Sequence, residues 1–116
     1  MSLFSRRAER TPLDGVDAVL ADLDGVVYAG PGPLPYAVES LTRAADTRRL
    51  GYITNNASRR DSAVAEHLRE LGLTATQPDD VVTSPQAAMR LLRERVEPGA
   101  TVLVVGGDGL VYELEK

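Results

Sequence analysis

Residues 16–25 read VDAVLADLDG, a short apolar run that closes in Asp22-Leu23-Asp24-Gly25. An apolar run of this length, bounded by a turn signal, reads as a buried strand over Val16 to Asp22. Its carboxyl end therefore delivers two carboxylates, two residues apart. Working outward, Gly25 to Pro35 holds three glycines and three prolines and reads as a loop. Leu34, Val38, Leu41 and Ala45 then recur at helical spacing. Leu50 to Thr54 is a second strand, with Asn55-Asn56 as its exit. Ser58 and Asp61 form a capping pair for a second helix, with Val64, Leu68 and Leu71 inward and a stop at Gly72. Val81-Val82 is a minimal third strand. Ser84 as N-cap and Pro85 at the first helical position open a third helix, with Ala88, Leu91 and Leu92 inward. Thr101 to Val105 is a fourth strand, Gly106-Gly107-Asp108-Gly109 a turn, and Leu110, Val111 and Leu114 begin another helix. This alternation predicts an α/β, Rossmann-like domain whose mostly parallel sheet has helices on both faces.

The 116 residues amount to one domain or part of one. With 43% hydrophobic and only 4% aromatic residues, the core must be built from Val, Leu, Ile and Ala. A net charge of −4 speaks against a nucleic-acid partner, which needs a basic footprint. The chain has no cysteine, so disulfides and thiolate metal sites are excluded. No apolar run approaches membrane-spanning length. Met1 to Pro12 carries Arg6, Arg7 and Arg10 without an apolar segment, so it does not read as a secretory signal. Residues 1–14 are expected to be a disordered leader, residues 15–116 the folded unit, and the cytoplasm the default address.

In open α/β sheets, ligands bind outside the carboxyl ends of the strands. Of two carboxylates at such an end, one can attack phosphorus and the other can shuttle a proton. Magnesium uses one or two carboxylates together with phosphate and water. Gly25 lets the chain turn closely, so that backbone N–H groups, those of Leu23 and Gly25 among them, can point at an anion. The alternative is a solvated turn built on Asp24-Gly25. Thr54, Asn55 and Asn56 leave the neighbouring strand at the same crevice, where a hydroxyl and a carboxamide can bind phosphate without adding negative charge. Taken alone, they equally suit a capping or turn cluster.

Together, in this order and one βα unit apart, the two motifs resemble the haloacid dehalogenase superfamily of phosphatases. More narrowly, they resemble its class IIA branch, which acts on p-nitrophenyl phosphate, phosphoglycolate, glycerol phosphate and pyridoxal phosphate. The likeness runs through Asp22-Leu23-Asp24-Gly25-Val26-Val27-Tyr28 and the Gly/Pro-rich flap to Pro35. It continues through Ile53-Thr54-Asn55-Asn56-Ala57-Ser58, residues 68–73 and Val81-Val82-Thr83-Ser84, and ends at Val104-Val105-Gly106 with Leu110. The resemblance implies that Asp22 is the nucleophile, forming an aspartyl-phosphate, and Asp24 the general acid and base. It also implies that the Asp22 side chain and the Asp24 carbonyl bind Mg2+, that Thr54 holds the phosphoryl group, and that Asn55 orients it. Small phosphate monoesters are the implied substrates.

The family's pattern also includes a downstream lysine, a later Gly-Asp…Asp motif and an inserted cap domain. Here the sole lysine is Lys116, and no second aspartate follows Gly107-Asp108. Asp108 therefore reads as a turn residue. The chain is expected to be the N-terminal half of the core, truncated before the cap and inactive by itself. Its first strand would form an exposed edge through which copies associate. Two other readings remain: a receiver-like phosphoacceptor signalling domain, although the third strand ends in Thr83-Ser84-Pro85 without an acid, and a non-catalytic α/β fragment. His67 reads as a surface residue, Arg59-Arg60 as a solvated helix start within reach of a substrate anion, and Tyr28 as a flap residue that packs or gates.

Overall fold

In the computed structural model, residues 11–116 are described. The expected leader falls mostly outside them; Thr11–Gly15 form a turn, in which the Thr11 N–H donates to Asp14 at 3.1 Å. The Arg48 guanidinium ties this turn down by donating to the Leu13 and Val16 carbonyls at 2.7 and 3.0 Å.

Strand β1 (Ala18–Asp22) is followed by a short hairpin, β2 (Tyr28–Ala29) and β3 (Gly32–Pro33), within the Gly/Pro-rich loop. Helix α1 (Ala37–Ala45) leads to β4 (Arg49–Thr54), and α2 (Asp61–Glu70) leads through a 3-10 turn at Pro78–Asp80 to β5 (Val81–Thr83). Helix α3 (Ser84–Arg95) and helix α4 (Asp108–Glu115) complete the described elements. The three main strands form a parallel sheet in the order β1-β4-β5, with Asp22 level with Ile53 and Thr54 level with Thr83.

Strand periodicity divides the sheet into two unlike faces. Ala21, Tyr52, Thr54, Val81 and Thr83 are buried. They share a core with Leu23, Val27, Tyr28, Val64, Ala65, Leu68 and Leu73, edged by Val38, Leu41, Leu50 and Leu71. On the other face Leu20, Ile53 and Val82 are 70%, 45% and 50% exposed. Leu20 lies over Gly51, where an added Cβ would come within 2.9 Å of the leucine. Helix α3 borders this face beside Val82, where Gln86 and Met89 line the same cavity.

Helix α2 ends as its glycine predicts. Gly72 takes φ +120°, the Gly72 N–H donates to the Arg69 carbonyl, and the Leu73 N–H reaches back to Leu68 at 3.0 Å. This Schellman closure sets Leu73 beside Leu68 in the core.

Four sequence expectations are corrected. Ser58 does not cap α2: Arg60 is the N-cap residue, without a side-chain bond. Ser58 donates instead to Asn56 from both its N–H and its hydroxyl, a local turn that competes with capping. Helix α3 is capped one residue earlier than expected, by Thr83 in a reciprocal box with Gln86. Pro85, rather than Ala88 and Leu91, is its buried residue, because α3 meets the sheet at its start and then runs clear of it. Thr101–Val105 is not a strand. Leu103 and Val105 are 89% and 86% exposed, since β propensity needs a partner edge and this run is paired with none among the described residues.

Candidate active site at the carboxyl ends of β1 and β4

Hydrophobic drive places the chemistry. β1 buries Ala21 and hands over to Leu23, which is fully buried, so Asp22 and Asp24 on either side of it face outward at the strand end. The Asp22 carboxylate accepts the N–H of Leu23 at 2.9 Å. Gly25 turns the chain at φ +81°, a region that disfavours any side chain, and its N–H donates to the Tyr28 carbonyl at 2.8 Å. The Val26 and Val27 N–H groups both reach the Leu23 carbonyl, closing the turn beneath the two carboxylates.

The neighbouring strand end is that of β4. Thr54 is buried, and its hydroxyl accepts the Asn56 N–H at 3.1 Å. Asn55 is exposed, its carbonyl held by the Ser84 hydroxyl at 3.2 Å. The Asn56 carboxamide oxygen accepts both the N–H and the hydroxyl of Ser58, at 2.9 and 2.6 Å. Asn55 is thus exposed and held only through its backbone carbonyl, whereas the Asn56 carboxamide oxygen, expected at the phosphate, is taken up by Ser58 and shapes the loop.

Tyr28 packs rather than gates. It is 6% exposed and meets His67 edge to face, with ring centroids 4.8 Å apart. Burial, with the charges of Asp24 and Asp22 nearby, pushes its phenol up against a smaller opposing effect of Arg59. His67 is therefore not the surface residue expected: it is half-buried, and its Nε2 is buried without a partner.

Among the described residues no cation pairs with Asp22 or Asp24, and no cluster of three metal-ligating side chains occurs. Two unpaired carboxylates are a hard-oxygen donor set that fits magnesium, which completes its shell with phosphate and water.

Sequence reasoning missed the support behind the loop. Arg60 donates to both Asp108 carboxylate oxygens, at 2.8 and 3.2 Å, and its guanidinium stacks 4.3 Å from the Tyr112 ring centroid. The hydrogen bond from Arg60 holds the Asp108 carboxyl below its ordinary range. Asp108 is thus neither a metal ligand nor an idle turn residue. The one hint in the sequence was the spacing of Gly107 and Gly109 around it.

The haloacid dehalogenase-like hydrolase model matches residues 19–116. The D-glycerol 3-phosphate phosphatase of Mycobacterium tuberculosis is 50% identical over 98 residues, 84% of this chain and 27% of that protein. The glycerol-3-phosphate phosphatase of Gallus gallus is 44% identical over 107 residues, 91% of this chain and 34% of the relative. The crystal structure of a glycerol phosphate phosphatase from M. tuberculosis in complex with magnesium superposes with a TM-score of 0.77 at 48% identity, covering 85% of this chain and 29% of that one. The chain spans about a third of the length of these curated relatives.

Proposed function

The chain belongs to the haloacid dehalogenase-like hydrolase family, and we propose that it carries the nucleophile-bearing part of a magnesium-dependent phosphatase of small phosphate monoesters. One observation carries this reading. Among the described residues Asp22 and Asp24 have no cationic partner at the end of β1, where Asp22 is level with Ile53, the residue just before the Thr54-Asn55 exit of β4.

In this reading an Asp22 carboxylate oxygen attacks phosphorus in line, the ester P–O bond breaks, and an aspartyl-phosphate forms. Asp24, protonated at that moment, gives its proton to the leaving alkoxide. As a carboxylate it then takes a proton from water, whose oxygen attacks phosphorus, releasing phosphate and restoring Asp22. The Thr54 hydroxyl and the Asn55 carboxamide orient the phosphoryl oxygens, whereas the Leu23 and Gly25 N–H groups, expected to point at the anion, are taken up by the Asp22 carboxylate and the Tyr28 carbonyl and hold the turn instead. Mg2+ would be held by the Asp22 carboxylate and the backbone carbonyl of Asp24, where it would supply charge neutralisation for the phosphoryl oxygens. Glycerol 3-phosphate is the first substrate to test, because relatives at 50% and 44% identity are phosphatases of that ester.

The test is phosphate release from glycerol 3-phosphate and p-nitrophenyl phosphate by the full-length protein carrying this chain, with and without Mg2+. Asp22→Asn removes a nucleophile and a metal ligand together and should lower turnover by at least about a thousandfold, several kcal/mol of barrier. Turnover near wild type in Asp22→Asn would sink the assignment.

A further inference from the structure

The motif that this chemistry does not use, Gly106-Gly107-Asp108-Gly109, lies against the loop that carries Asn55 and Asn56. A Cβ on Gly109 would sit 2.5 Å from the Arg59 carbonyl oxygen and 2.8 Å from that of Ala57. One on Gly107 would sit 3.1 Å from the Ser58 Cα. These are backbone atoms, so no side chain can swing aside to make room. Nor is either glycine required by dihedral angle: Gly107 has φ −91°, and Gly109 is helical without positive φ. Close approach of α4 to the loop is what each position demands.

The contact is reinforced by charge. Asp108 and Tyr112, four residues apart on one face of α4, grip the guanidinium of Arg60 from two sides. Arg60 ends the loop at the N-cap of α2, and the Ser84 hydroxyl holds the Asn55 carbonyl at the loop's start. Both ends of the Asn55–Arg60 segment are thereby fixed from outside the two strands that build the crevice.

We propose that the first turn of α4 is a positioning device. Gly107, Gly109 and the Asp108–Arg60–Tyr112 clamp set the height of the Asn55–Arg60 loop, and with it the aim of the Thr54 hydroxyl and Asn55 carboxamide. The inference rests on the phosphoryl-binding reading of Thr54 and Asn55. Displacement of such groups by about an ångström is enough to cost on the order of a hundredfold in rate.

The experiment uses the full-length protein, with kcat and KM for p-nitrophenyl phosphate in Mg2+, inhibition by inorganic phosphate, and thermal unfolding. Gly109→Ala should lower kcat about 10- to 100-fold and weaken phosphate inhibition, and should also lower the melting temperature, since the new Cβ meets backbone that must shift. Because the Arg60–Asp108 pair is exposed, Arg60→Ala and Asp108→Ala should leave melting unchanged to within about 2 °C. Each should still lower kcat severalfold, and the double variant should be no worse than the poorer single, since both break one clamp. Wild-type kcat and phosphate inhibition in Gly109→Ala would overturn the proposal. If that variant does not fold, the clamp variants decide: altered kinetics at unchanged melting supports positioning, and wild-type kinetics overturns it. Asp22→Asn, measured alongside, separates the two levels. An inactive Asp22→Asn with an unimpaired Gly109→Ala refutes the brace alone, whereas an active Asp22→Asn removes the premise and the brace with it.

Discussion

Tyr52 shows how a single residue couples the sheet to solution conditions. It is 2% exposed on the covered face of β4, and burial pushes its phenol up, with the nearby Thr76 hydroxyl opposing this and Asp80 adding to it. A phenol whose folded pKa is raised favours the neutral form in the fold. Its contribution is therefore complete below pH about 10, the unfolded value, and is lost as pH rises through the folded pKa. Stability should fall above pH about 10, and Tyr52→Phe should flatten that loss. At pH 7 the same variant should change stability by no more than about 1 kcal/mol, the usual net worth of a hydroxyl. Denaturant melts at pH 7 and pH 11 check this, and equal alkaline losses in both proteins would refute it. At this scale the sequence was informative about Asp22, Asp24 and Thr54, whose types and positions are local facts. It was silent about His67, whose burial depends on Tyr28 arriving from another loop.

Among the elements, α1 begins under strain. Its N-cap residue Tyr36 adopts φ +68°, the one non-glycine residue with positive φ among the described residues, and its side chain is 78% exposed. The left-handed region costs an L-residue roughly 1–2 kcal/mol. Glycine relieves this but loses more entropy on folding, by about 0.5–1 kcal/mol. Tyr36→Gly should therefore raise stability by up to about 1 kcal/mol, read as a higher denaturant midpoint. A clear drop would mean that the exposed ring makes stabilising contacts. Element existence followed from periodicity for β1, β4, α1 and α2, since each buries one stripe. Start positions slipped because Thr83, Ser84, Ser58 and Asp61 all have capping side chains. Only the hydrogen bonds of Gln86 and Asn56 determine that Thr83 caps α3 and that Ser58 does not cap α2.

For the molecule as a whole, the open face of the sheet dominates. Leu20, Ile53 and Val82 lie together there, and β1 forms one edge of the sheet with no lysine or proline in its five residues. Such an edge offers unpaired backbone groups beside apolar surface, the usual template for pairing with another copy. The 116-residue chain by itself should self-associate with rising concentration, and Leu20→Lys should reduce this without unfolding the chain, since Leu20 faces outward. Size-exclusion chromatography with light scattering tests both statements. A concentration-independent monomer would show that the three strands form a self-sufficient sheet.

Sequence by itself determined the parallel α/β order and the Asp22-x-Asp24 pair, because strand and helix periods and strand-end carboxylates are written in local spacing. It also determined the family, because Asp22-Leu23-Asp24-Gly25 and Thr54-Asn55-Asn56 stand one βα unit apart. Tertiary structure alone decided that Thr101–Val105 pairs with no strand among the described residues, since an apolar run becomes a strand only where an edge receives it. It alone decided that Gly109 and Asp108 press on the loop beside Thr54, a contact between residues about fifty positions apart that no local pattern encodes.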